Sequence, residues 1–274
     1  MRVILSLLFF SCFGFVSCNK DISPGDDPNF IIIENNDDGF SGFNRKVVVF
    51  QIPIYAKKKV EDSRLLHAAN IMAQYLDNDE DGEVDNSLVH DLMLDNNACM
   101  VMWNNMCNLM MMSPPDNVLV QDLGNDETIA EWHTNGMTGR FDAALEEVLH
   151  IITHAGYAYA YPEVFGEEKG TELCNAMDIA RGGQFVDIPE EYPKQAWYHY
   201  DDATCEYNCM ATEYIYWALT SLLGAQSNRS DEINHEWELH TPELLKEHDT
   251  AIHELLISEE YKFPSVLPDG TYLH

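Results

Sequence analysis

Basic residues are scarce in this chain. Lys and Arg together number 15 against 47 Asp and Glu in 274 residues, a formal net charge of −32. A nucleic-acid backbone or an anionic lipid surface repels such a protein, which excludes nucleic-acid binding and charge-driven membrane binding. Long apolar runs are also lacking. Beyond the first residues nothing approaches the roughly 20 apolar residues that cross a bilayer. No internal repeat is evident. An exposed soluble protein, a cation binder and a protein of a salty environment remain open. A hydrophobic content of 46% with 11% aromatics excludes a disordered chain, and the length allows one large domain or two small ones.

The apolar run at the start has its own meaning. Arg2 precedes Val3-Ile4-Leu5-Ser6-Leu7-Leu8-Phe9-Phe10, and small residues follow up to Ser17-Cys18. This pattern describes a secretory signal over residues 1–17. Phe15-Val16-Ser17-Cys18 resembles a bacterial lipoprotein box, with Phe where Leu is usual, and implies a lipid anchor at Cys18. Plain secretion after Ser17 is the alternative. Either route places the protein outside the cytoplasm, secreted or membrane-anchored, where Cys99, Cys107, Cys174, Cys205 and Cys209 can form disulfides. Connectivity stays open. Cys205 and Cys209 share a helix face at a spacing awkward for a mutual bridge, so at least one is expected to pair elsewhere.

Residues 18–42, rich in Asp, Asn, Gly and Pro, read as a flexible tether with a short strand at Phe30-Ile33. Residues 46–55 read as one strand, with Pro53 marking an edge or interruption. Residues 60–76 form an amphipathic helix. Short strands follow at 98–103 and 117–121, separated by a loop whose Met110-Met111-Met112 run fills a core gap or lines an apolar pocket. Helices are expected at 141–154, 171–181, 205–223 and within 236–256, where His240, His248 and His253 lie on the surface.

Two motifs stand out. Within the helix at 141–154, His150 and His154 are four residues apart and share a face; Glu146 extends the stripe and Glu147 lies beside it. Imidazoles next to carboxylates in a greasy helix suit a transition metal such as zinc, with the carboxylates orienting a ligand or accepting a proton. On the later helix Glu213 is a carboxylate amid aromatic residues, a charge costly to bury unless it is paired or metal-bound. The second motif, Asp77-Asn78-Asp79-Glu80-Asp81-Gly82-Glu83-Val84-Asp85, resembles an EF-hand calcium loop. The resemblance implies calcium ligands at Asp77, Asp79, Asp81 and Asp85. The twelfth position is Leu88 instead of a bidentate Glu, so affinity for Ca2+ is expected to be weak.

The order of elements resembles that of the zincin metallopeptidases: strand, helix, strands, a histidine-bearing helix, then a mainly helical half. The resemblance covers roughly residues 46–223. It implies an α+β fold: a small twisted mixed sheet with backing and active-site helices, then a helical C-terminal half. Residues 43–274 would be a single domain, with a sheet-containing part at 43–156 and a helical part at 157–274. The family signature is His-Glu-x-x-His. Here Glu146-Glu147-Val148-Leu149-His150 keeps Glu-x-x-His, with Glu146 in place of the first His. The match puts Glu147 on the general base and His150 on a metal ligand, with His154 supplying the missing imidazole. Thr212-Glu213-Tyr214 is similar to the segment presenting a third, Glu ligand. If His150 is instead the first signature His, Ile151 falls on the base position and the chain is a metal-binding or inactive relative.

The leading expectation is therefore an exported zinc-dependent hydrolase acting on peptides or proteins. Glu147 would be the base, and Tyr198, His199 or Tyr157 would stabilise an oxyanion. The alternative is a calcium-stabilised extracellular or lipid-anchored binding protein without chemistry. A ferritin-like iron site ranks last, because a second Glu-x-x-His is lacking on another suitable helix. Oligomeric state is not legible.

Overall fold

Hydrophobic strands early and apolar-striped helices later build one α+β molecule. The computed structural model describes residues 27–105 and 115–274. The signal segment, Cys18, Cys107 and the Met110-Met111-Met112 run fall outside the described residues. Five strands form one mixed sheet in the order β1 (Ile33–Glu34), β2 (Arg45–Val49), β3 (Ile52–Ala56), β4 (Cys99–Trp103) and β5 (Val120–Gly124). The β1–β2 and β2–β3 pairs are antiparallel; β3–β4 and β4–β5 are parallel.

The run at 46–55 is a hairpin, not one strand. Phe50 and Gln51 both take left-handed conformations, φ 43° and 70°, in a two-residue turn that brings Val49 opposite Ile52. Such turns usually carry Asn or Gly, so the sequence hides this one. Pro53 is tolerated in an interior strand because the ladder to β4 begins only at Ile54.

Parallel pairing requires crossovers, and the one from β3 to β4 carries two helices. Between β3 and β4 run α1 (Asp62–Leu76) and α2 (Ser87–Asp95). After β5 comes α3 (Ala144–Ile152), which widens into a π-turn at Thr153–Tyr157. The helices α4 (Glu172–Ala180), α5 (Tyr207–Leu222), α6 (Pro242–His248) and α7 (Thr250–Leu256) follow. Every residue of α1 from Leu65 to Leu76 is buried, so it is a central helix and not an amphipathic surface one. It packs on β2, β3 and α3, while α3 also touches β5 and α5. Thr241 and Asp249 each accept a backbone N–H as N-caps, which splits the single helix expected at 236–256 into α6 and α7.

Residues 27–42 belong to the fold rather than to a tether. Ile33–Glu34 pairs with β2, the Phe40 ring stacks on Tyr55 at 4.0 Å, and the Asn29 amide donates to the Tyr272 carbonyl at 2.7 Å. Cys205 and Cys209 form a disulfide with each other, Cα atoms 5.4 Å apart. Cys205 precedes the N-cap residue Glu206, so it is not held on the helix face and the chain turns back to meet Cys209.

Candidate metal centre

The spacing of Glu146 and His150 puts both on one face of α3, and packing of α5 on α3 adds Glu213 to that face. One ligand atom from each of Glu146, His150 and Glu213 lies within 4.8 Å of the others. His150 Nε2 is 3.5 Å from Glu213 Oε2, too far for a hydrogen bond, and this buried nitrogen has no hydrogen-bond partner. On the other edge of the ring, His150 Nδ1 is 3.5 Å from Glu147 Oε2. That same Oε2 accepts from the Gln121 amide on β5 at 2.5 Å. Tyr216 meets the imidazole edge-on at 5.6 Å, and the Tyr200 hydroxyl donates to Glu213 Oε1 at 3.2 Å.

Electrostatics follow from this crowding. Burial, and then the neighbouring charges of Glu213 and Glu147, push the Glu146 carboxyl up to about 8. Burial disfavours the charged form of His150, yet Glu213 and Glu147 outweigh it and hold the imidazole well above its ordinary value. Asp122 and Glu127 are also pushed up, first by burial, with Glu147 adding to both. Without a cation the cluster therefore retains protons that an exposed set of the same groups would release. A cleft of about 440 Å³, lined in part by Glu127, Arg140, Glu146, Glu147 and Glu232, opens onto it. One imidazole and two carboxylates are a donor set that zinc and similar divalent ions accept, and the unpartnered Nε2 is where such an ion fits.

His154 does not join this group. Its Nδ1 pairs with Glu167 Oε2 at 2.7 Å, and its side chain is 39% exposed. The π-turn that begins at Thr153 breaks the helical register, so the residue four positions after His150 no longer lies above it. Gly156 lets that turn pack tightly on α2: a Cβ there would sit 2.7 Å from Val89 Cγ1. Tyr198 and His199 are also placed elsewhere. The buried Tyr198 hydroxyl donates to the Met210 carbonyl at 2.8 Å, and His199 Nε2 lies 2.9 Å from the Ala196 carbonyl. The Tyr157 hydroxyl donates to the Tyr261 carbonyl at 3.0 Å. Tyr200 and Gln121 touch the cluster without having stood out in the sequence. Tyr200 belongs to a visible aromatic run, whereas Gln121 carried no signal. A separate buried set, His67, His133 and Asp142, was equally silent because its members come from three segments.

The acidic loop joins α1 to α2, and Asp77, Asp79 and Asp81 converge there. Asp77 Oδ2 accepts from the Gly82 amide at 2.8 Å and from the Tyr272 hydroxyl at 2.5 Å. Gly82 takes φ +90°, which only Gly adopts readily. Asp85 lies outside the converging set, and its Oδ2 accepts from the Asn78 amide at 2.7 Å. Leu88, at the twelfth position, is 44% exposed.

Comparisons with protein-family models, with curated proteins and with solved structures find no match to this chain.

Proposed function

We propose that this protein is an exported, metal-dependent hydrolase of zincin-like organisation that acts on peptides or proteins, released or held by a lipid on Cys18. The metal ligands in this reading are Glu146, His150 and Glu213, not the His150–His154 pair. The observation that carries it is the buried, unpartnered His150 Nε2 facing Glu213 beside Glu146. When bound there, a divalent cation supplies Lewis-acid polarisation of a carbonyl and acidifies water. Glu147 faces the Nδ1 edge of His150, the side of the ring away from the cluster. The contacts to His150 and Gln121 both fall on Glu147 Oε2, which leaves Oε1 to accept a proton at the cleft. Tyr200 positions Glu213 by donating to its other oxygen. Calcium in the Asp77-Asp79-Asp81 loop serves a structural role, fixing the turn between α1 and α2.

A second reading, a cation-stabilised binding protein without chemistry, is favoured by the Gln121 bond that ties down Glu147. Elemental analysis of the purified protein, together with digestion of a mixed peptide library, separates the two. The hydrolase reading expects bound zinc whose content falls by about one per chain in His150→Ala. It also expects cleavage that disappears in Glu147→Gln while the zinc stays. Zinc without Glu147-dependent cleavage selects the binding protein, and absence of tightly held metal removes the proposed centre.

A further inference from the structure

His67 lies on α1, His133 in the short helical turn Glu131–Thr134, and Asp142 just before α3. His67 Nε2 is 2.7 Å and His133 Nε2 2.9 Å from the same oxygen, Asp142 Oδ2. The other carboxylate oxygen is taken by backbone: Oδ1 accepts from the Ile129 amide at 2.7 Å and the Ala144 amide at 3.3 Å. Water is nearly excluded, with side-chain exposures of 6% for His67, 4% for His133 and 0% for Asp142. Gly270, at φ +80°, closes over the His67 ring so tightly that a Cβ there would fall 2.1 Å from Nδ1. His133 Nδ1 is buried and unpartnered. Among the described residues no Lys or Arg forms an ion pair with Asp142.

We propose that His67, His133 and Asp142 form a second cation site, a buried structural centre of the zinc class with three protein ligands. A fully buried carboxylate needs a compensating charge, and a divalent ion between two neutral imidazoles supplies it. The three donor atoms already converge. Ligand atoms in a tetrahedral zinc site stand about 3.3 Å apart, so the two imidazole–carboxylate distances need to lengthen by only about half an ångström. The backbone bonds to Asp142 Oδ1 hold the carboxylate in place with Oδ2 directed inward, a supporting role such ligands commonly have. An ion here ties α1, the 131–134 turn and the start of α3 together. Asp142, just before α3, stands four residues before Glu146 on it, so the two centres are neighbours in sequence. The second does not depend on the first.

The test uses the full chain, equilibrated with zinc in a calcium-containing buffer that fills the acidic loop, desalted, and assayed for zinc by mass spectrometry. Glu146→Gln with Glu213→Gln removes the first centre. That double variant is expected to keep about one zinc per chain, and adding His133→Gln is expected to bring it to near zero. Asp142→Asn, which preserves shape and the backbone bonds, is a second route to the same loss if His133→Gln misfolds. The proposal is overturned if the double variant holds no zinc, or if its zinc survives both substitutions in folded protein. Failure of the first centre reads differently: His150→Ala then leaves the zinc content unchanged.

Discussion

Glu146→Gln should have opposite effects on stability with and without metal. In the metal-free protein Glu146 shares a crowded pocket with Glu213 and Glu147, and its carboxyl is pushed from 4.5 up to about 8. At pH 7 that perturbation corresponds to about 3 kcal/mol against the folded state. Residual solvent contact at this half-buried group reduces it to about 1–2 kcal/mol. Glutamine removes the repulsion and keeps the shape, so the metal-free variant should melt higher by roughly 2–8 °C. The sign in pH follows from the raised folded value. The contribution of Glu146 is fully favourable below its unfolded value and is lost as pH rises towards about 8. The stability of wild type relative to variant should therefore fall between about pH 5 and pH 8 and then level off. Zinc reverses the order: at a hundredfold excess over the dissociation constant of this centre it adds about 2.7 kcal/mol more to wild type than to the variant. Differential scanning calorimetry in chelator and in zinc reads all of this. A variant that melts lower without metal, yet gains as much from zinc as wild type, would refute the assignment of Glu146.

Three further outcomes test the surrounding structure. Gly156→Ala forces a methyl to within 2.7 Å of Val89 Cγ1 and 2.9 Å of Met93 Cγ, and should cost about 1–3 kcal/mol; a melting temperature equal to or above wild type contradicts the packing of the π-turn on α2. Burial pushes the Cys99 thiol up to about 12 and Cys174 up to about 11, so peptide-resolved alkylation near pH 8 should leave both unmodified until the protein is unfolded; rapid native labelling of either would show that it is not enclosed. Calcium should raise the melting temperature with a dissociation constant on the order of 0.1–1 mM, and Asp79→Asn with Asp81→Asn should abolish the rise; no calorimetric response at millimolar calcium removes the loop from the account.

Most helices were legible because burial and capping act locally. The period of apolar residues marks α1 and α4 within a few residues. What stayed hidden has tertiary causes. The Phe50-Gln51 turn adopts left-handed backbone without the residues that advertise it. The segment at 27–42 looks soluble, yet Phe40 finds Tyr55 across the sheet. The Cys205–Cys209 bridge forms because the helix starts later than its apolar pattern suggests. His154 was misplaced by a single turn of π geometry, which no residue type signals. Glu146, His150 and Glu213 were all legible as candidates from spacing and from the cost of burying an acid. Which of them meet was decided by the packing of α5 on α3.

The row on α3 makes a wider point about how the molecule is held together. Asp142 just before α3, and Glu146 and His150 on it, stand at four-residue intervals with Glu147 beside them in a largely apolar stretch. Apolar residues at these positions would fold with less electrostatic cost. Retaining ionisable groups at and just before a core helix makes sense physically if cations compensate them in the working protein. The net charge of −32 adds repulsion of the same sign across the whole surface, which bound divalent ions also relieve. If cations occupy these groups, chelation should loosen the α1–α3–α5 packing even where no substrate is involved.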